Sequence, residues 1–323
     1  MHLPAMGRRK QHLVLAVPEK SRRAAGRQRV GKLQDNLVGA VALRKYRLAV
    51  GLFLTWLAIM GVADADDWDS LDRQMCGYLE YLWENGESKG YGGDALSGVQ
   101  HFLMTRRKCP GAWRLLTTWG RLELPSRAPP LPPLVALALA GLALSQGLQD
   151  FAAIVLVAFH CFLRIGEAFS ITRQALCLDT NFCGIVRLGW TKGGKRRGAE
   201  EFTQIEEPCA GQLLLRALSL KGLSDPLLTV TAGAFRLWFD RSCSELGVGS
   251  CNFRPYSLRR GGATHHWQLH ANMSKTVERG RWSCIRTARI YLQEAAATLL
   301  EMRLSPFVLD RLNTYAVLVG AEH

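Results

Sequence analysis

The sequence predicts a mainly α-helical fold with a small β-hairpin or sheet (α+β), divided into two domains. Three observations lead there. The chain is 323 residues long and 48% apolar, enough to bury two sizeable cores. Apolar residues recur at spacings of three and four through most of its length, whereas period-two alternation appears in one place, around a Gly-Gly pair. Five of the 12 prolines fall between Pro125 and Pro133, in a stretch that can join domains without entering either core.

Residues 1–43 read as a basic, disordered arm. The first 50 residues hold 12 of the 41 Lys/Arg against Glu19 and Asp35 alone, so they carry +10 of the net +14. Such a charge favours a polyanionic partner. The clusters Arg8-Arg9-Lys10 and Lys20-Ser21-Arg22-Arg23 suit a nuclear address, an organelle transit segment, an arm that grasps DNA, or a solvated tail. Residues 44–120 read as a helical domain in four pieces. Tyr46, Phe53, Trp56 and Met60 mark the first and Leu71, Met75, Tyr78, Leu79 and Leu82 the second. Gly86, Gly90, Gly92 and Gly93 break the chain before a third over 95–103, and Pro110-Gly111 opens a fourth.

Residues 121–133 form the proline-rich linker, and 134–305 a second domain. Its first two helices, spanning the apolar runs 134–144 and 151–163, are too short to cross a bilayer and read as core. A hairpin follows, from 184–190 through a Lys192-Gly193-Gly194-Lys195 turn to 201–205. Helices over 257–269 and 287–302 close the domain, and 306–323 is a C-terminal tail. Nine scattered cysteines without a CxxC pair exclude a disulfide framework and a zinc site, and imply a reducing setting.

Within the second domain, certain residue types fall in an order suited to a phosphodiester. Cleaving one without metal needs cationic donors for the non-bridging oxygens, an in-line nucleophile and an acid for the leaving oxygen. Arg164 is a charge inside an otherwise apolar helix, so it requires Glu167 or a ligand phosphate as partner. Arg259 lies near a helix start marked by Pro255 and Ser257, where backbone amides favour anions. Arg260, its neighbour, points elsewhere. Lys192 on the hairpin is placed to donate a proton to a leaving oxygen.

Arg164 in Leu-Arg-Ile-Gly-Glu, the lysine hairpin, Tyr256-Ser257-Leu258-Arg259, and Gly280-Arg281-Trp282 nine residues before Tyr291 together resemble the tyrosine recombinases of the phage-integrase type. The resemblance covers about 134–300 well, and more loosely identifies 44–120 with the family's core-binding domain, which clamps DNA. It implies that Tyr291 attacks the scissile phosphate to give a 3′-phosphotyrosyl link and a free 5′-hydroxyl. Arg164 and Arg259 hold the non-bridging oxygens, and Lys192, or alternatively Lys195, protonates the leaving oxygen. Trp282 stands in for a histidine, and no metal, ATP or other cofactor is needed. Tyr256 occupies the position of the family's usual histidine, and a phenol with an ordinary pKa near 10 is a poorer base than imidazole.

The implied partners are double-stranded DNA and three further copies of the chain, as a homo-tetramer on paired sites, with no membrane. The implied role is DNA recombination or integration by a mobile-element enzyme, nuclear if the source is eukaryotic. The tail after Tyr291 either docks on a neighbouring protomer or folds back as a core helix. Alternative readings are a type IB topoisomerase, a catalytically silent DNA-binding remnant, and a basic interaction protein unrelated to DNA.

Overall fold

The computed structural model describes residues 17–105, 108–123 and 127–320, which divide into two units, 1–126 and 127–323. The first holds α1 (Val17–Val30), α2 (Ala40–Ile59), α3 (Trp68–Glu84), α4 (Lys89–Phe102) and α5 (Pro110–Leu122). The expected disordered arm is corrected: α1 occupies much of its described part, and α2 begins at Ala40 rather than at 44. Ala, Arg and Gln dominate Ser21–Arg29, and their high helix propensity carries α1 although its described side chains are exposed. The cluster Arg8-Arg9-Lys10 lies outside the described residues.

Local signals explain the starts of the other helices in this unit. Asp67 and Ser70 form a reciprocal capping box at α3, and Ser88 caps α4. Pro110 opens α5, whose free amides at Gly111 and Ala112 donate to the Asp72 carboxylate of α3 at 2.8 and 2.9 Å. Phe53, Met75, Tyr78, Leu79, Leu96 and Leu116 make the core. Of the glycines expected to break the chain, Gly90, Gly92 and Gly93 lie inside α4. Packing decides this at Gly92, where a Cβ would come within 2.4 Å of Leu79.

The second unit is built on α6 (Pro133–Ser145) and α7 (Gln149–His160), apolar on every side and buried almost throughout. After α7 come α8 (Ile165–Phe169) and a three-stranded antiparallel sheet of β1 (Leu176–Leu178), β2 (Gly184–Gly189) and β3 (Glu201–Ile205), in that order. The hairpin therefore gains a strand. Leu176 pairs with Val186 and Val186 with Thr203, which puts Val186, Thr203 and Ile205 on the buried face. The tight Lys192–Lys195 turn is corrected to a helical turn, α9 (Lys192–Arg197), because the Thr191 hydroxyl accepts from Gly194 N–H at 3.0 Å and caps it.

The remaining elements are α10 (Pro208–Ser219), α11 (Ala232–Glu245), α12 (Pro255–His270), α13 (Met273–Arg279), α14 (Ile285–Arg289), α15 (Glu294–Met302) and α16 (Pro306–Gly320). Two expectations change here. The helix over 287–302 is broken at 290–293, so Tyr291 sits between α14 and α15. The described part of the tail is α16, which lies along α6 of the same chain with Leu312 and Val319 buried.

Close approach of α6 and α16 depends on Gly141, where a Cβ would fall 1.8 Å from the Tyr315 carbonyl oxygen. Gly141→Ala should therefore destabilise the protein by about 1–3 kcal/mol, as backbone must yield to backbone. Chemical denaturation measures this, and an unchanged midpoint would mean that α16 does not rest on α6 in solution.

Candidate active site

The break after α7 creates the site. Phe162 takes a left-handed backbone (φ 48°), which turns the chain, and Arg164 becomes the residue that caps α8. The expectation of an arginine within a continuous apolar helix is thus corrected. Its side chain is freed from helix packing, partly exposed, and paired with Glu167 Oε1 at 2.5 Å. The same carboxylate accepts the Arg164 backbone N–H at 3.0 Å. Two nearby cations and these hydrogen bonds outweigh burial and hold the Glu167 pKa below the ordinary carboxylate value.

Arg259, on the second turn of α12, is 1% exposed. Its terminal nitrogens donate to the carbonyls of Phe162 and Gly280, the latter at 2.8 Å, and one lies 3.9 Å from Glu167. Its guanidinium lies 5.2 Å from the Trp282 ring centre and 5.4 Å from that of Tyr291. Burial first, then the charges of Arg281 and Arg164, bring its pKa down to about 10, so it stays cationic at neutral pH. Arg259 Nε has no hydrogen-bond acceptor within the described residues, and the Trp282 indole N–H is directed at the Tyr291 hydroxyl.

Tyr291 is half-buried against Trp282, with ring centres 4.7 Å apart, and faces Tyr256 at 5.9 Å. Burial alone would raise its pKa, but a hydrogen bond from the Tyr256 hydroxyl and the charge of Arg259 bring it below 10. Tyr256 moves the other way, up to about 12, through burial and its interaction with Tyr291. The structure thus gathers Arg164, Arg259, Trp282, Tyr256 and Tyr291 in one place.

Lys192 is exposed on the first turn of α9 and is not packed into that cluster. It is tied to the cluster through its support. Thr191, which caps its turn, donates to Glu201 at 2.5 Å; Glu201 accepts from Arg281 at 3.3 Å, and Arg281 donates to Glu167 at 2.7 Å. The Lys195 side chain lies outside the described residues.

Two groups escaped sequence reasoning: Arg281 and Glu201. Arg281 lies inside the Gly280-Arg281-Trp282 motif but was indistinguishable from a surface charge. Alternation along β3 puts Glu201 on the face of Ile205, which is the signal that could have marked it as buried. Arg260 points away from the Arg259 partners: it is buried and donates to the Ile290 carbonyl at 3.2 Å. Three guanidinium groups, of Arg164, Arg259 and Arg281, and two carboxylates leave the region cationic, which suits a phosphodiester anion held between Arg164, Arg259 and Trp282.

Glu167 is the shared partner of Arg164, Arg259 and Arg281, and its removal leaves buried cations uncompensated. Glu167→Gln should cost about 3 kcal/mol at neutral pH. Because the folded-state pKa of Glu167 is lowered, its stabilisation is full above 4.5 and fades as pH falls through the folded value. The substituted protein should lack that acid-side loss, and parallel stability–pH curves would rule out the hub role.

No protein-family model and no curated protein matches the sequence. Solved structures do. The Tn1549 transposon integrase in complex with transposon right-end DNA superposes with a TM-score of 0.55, at 16% identity, over 87% of this chain and 98% of that one. The same integrase with circular-intermediate DNA gives 0.50 at 12% identity, over 79% and 99%. The XerA recombinase covers 84% and 95% at 18% identity with a looser 0.43. Identities this low speak for architecture, and on that ground the chain has the tyrosine-recombinase fold.

Proposed function

We propose that this protein is a site-specific DNA recombinase that cleaves and rejoins double-stranded DNA through a 3′-phosphotyrosyl intermediate. The observation that carries the reading is the buried Arg259 guanidinium set beside both the Trp282 and Tyr291 rings. Its Nε lacks an acceptor within the described residues. Each buried unsatisfied donor costs about 1–3 kcal/mol, and a phosphate oxygen would recover that.

In this reading Arg164 and Arg259 hold the non-bridging oxygens and stabilise the charge of the pentavalent transition state. Tyr291 loses its proton to solvent, helped by the cations and by the Tyr256 donor, and its oxygen bonds to phosphorus. The bond to the 5′ oxygen breaks as Lys192 supplies a proton to it. The phosphotyrosyl ester retains the energy needed for rejoining, so the roles require neither ATP nor metal. The helical unit from α2 to α5, over 44–120, serves as the core-binding domain, and four copies act on two paired DNA sites. The arginine-rich residues 1–32 add sequence-independent phosphate contacts.

The decisive experiment traps the full chain on nicked suicide duplexes drawn from a pool of sites, denatures it, and maps any adduct by mass spectrometry. An adduct on Tyr291 is expected; binding without one would identify a silent DNA-binding protein, and relaxation without site preference a topoisomerase. Tyr291→Phe should abolish the adduct and leave DNA affinity within about threefold, whereas Arg259→Ala should slow cleavage on the order of 100-fold. Tyr256→Phe removes a donor to the nucleophile. It should slow trapping about tenfold at neutral pH and less at alkaline pH, where Tyr291 ionises without help; an equal loss at every pH would assign Tyr256 elsewhere.

A further inference from the structure

Arg260 follows Arg259 in the chain but serves a different neighbour. It is 1% exposed, and its Nη2 donates to the Ile290 carbonyl at 3.2 Å. One turn along α12, the Thr264 hydroxyl donates to the Tyr291 carbonyl at 3.3 Å and accepts from Gln293 N–H at 3.3 Å. A turn further, the Trp267 indole N–H donates to the Glu294 carboxylate. Residues 260, 264 and 267 lie at spacings of four and three, so they form one face of α12.

The segment that this face grips is the break between α14 and α15. Its sequence does not ask for a break. Ala288, Leu292, Ala295, Leu299 and Met302 continue at helical spacing, without proline or glycine between Ile285 and Met302. In an uninterrupted helix the carbonyls of Ile290 and Tyr291 would bond to amides four residues on. Here they bond to side chains of α12 instead. Each residue of an α-helix turns the chain by about 100°, so regaining helical register through 290–293 would swing the Tyr291 phenol away from Arg259.

We infer that Arg260, acting with Thr264, is a positioning residue that holds the Tyr291 segment out of helical register and so aims the phenol at the phosphate pocket. The guanidinium suits the task because a buried arginine can satisfy a carbonyl from a fixed, planar fork. Since Arg259 is the preceding residue of the same helix, the phosphate fork and the clamp on the nucleophile share one rigid support. The inference rests on Tyr291 being the nucleophile.

Two measurements on the full chain test it. In single-turnover cleavage of a nicked suicide duplex, Arg260→Met should slow adduct formation about 10–100-fold while the DNA Kd stays within about threefold. Arg260→Lys, which keeps a donor, should recover much of that rate. In hydrogen exchange on the DNA-free protein, Arg260→Met and Thr264→Val should each change the rates at 290–294 by about tenfold or more and leave α7 as it was. Unchanged cleavage, a loss matched by weaker DNA binding, or unaltered exchange at 290–294 would overturn the clamp. If the unsubstituted protein forms no adduct, the proposed enzyme activity fails, and the exchange measurement still decides whether the clamp exists.

Discussion

Burial of the Arg259 guanidinium is the constraint around which the second unit is arranged. A cation taken out of water without compensation costs several kcal/mol, so the surrounding chain must supply acceptors. It does so with the carbonyls of Phe162 and Gly280. Both come from turns with left-handed residues, Phe162 at φ 48° and Arg281 at φ 54°, a conformation that bulky side chains adopt only when their surroundings hold them there. α12 approaches the Phe162 turn closely because Gly262 presents no side chain: a Cβ there would meet the Phe159 carbonyl oxygen at 1.8 Å. The break after α7, the turn before Trp282 and Gly262 of α12 are therefore three parts of one solution.

Charge balance extends the same logic outward. Arg164, Arg259 and Arg281 converge on a region whose carboxylates are Glu167 and Glu201. Glu167 spaces the positive groups as much as it neutralises them, since Arg164 and Arg281 bond to different oxygens of one carboxylate. Glu201 carries the linkage to Thr191 and hence to the helical turn that bears Lys192. A substitution at Glu201 on β3 is thereby coupled to the placement of Lys192. Pairwise reading of these ion pairs understates them, because removing any carboxylate exposes more than one cation to the same desolvation penalty.

The sequence was most legible where one periodicity acts alone. Helices such as α3, α6 and α7 follow from apolar spacing, and the α+β class from the single alternating segment. The order of arginine, lysine, arginine and tyrosine was visible too, and the structure draws five of the six named residues together. What stayed hidden depends on contacts distant in sequence. Ala288 to Met302 is periodic through Tyr291, and only donors from α12, some 30 positions earlier, break it. Arg281 and Glu201 carry the same letters as exposed charges, and only β3 register and a left-handed turn bury them. Lys192 followed local chemistry that was misread: a threonine before Lys-Gly-Gly is a helix cap as readily as a hairpin flank.

Tyrosine at 256 changes how the proposed chemistry must divide its labour. A phenol whose pKa is pushed up to about 12 cannot accept a proton from Tyr291 at neutral pH. It can only donate, and donation stabilises the phenolate rather than creating it. Ionisation of Tyr291 then depends on the field of the nearby guanidinium groups, Arg259 foremost, acting against the burial that opposes it. The arginine that would stabilise charge on phosphorus is thus also the group that would lower the barrier to forming the nucleophile. A bound phosphate, being anionic, offsets part of that field. The two demands on Arg259 would therefore compete, and its cationic neighbours Arg281 and Arg164 would matter because they keep the site positive with a phosphate bound.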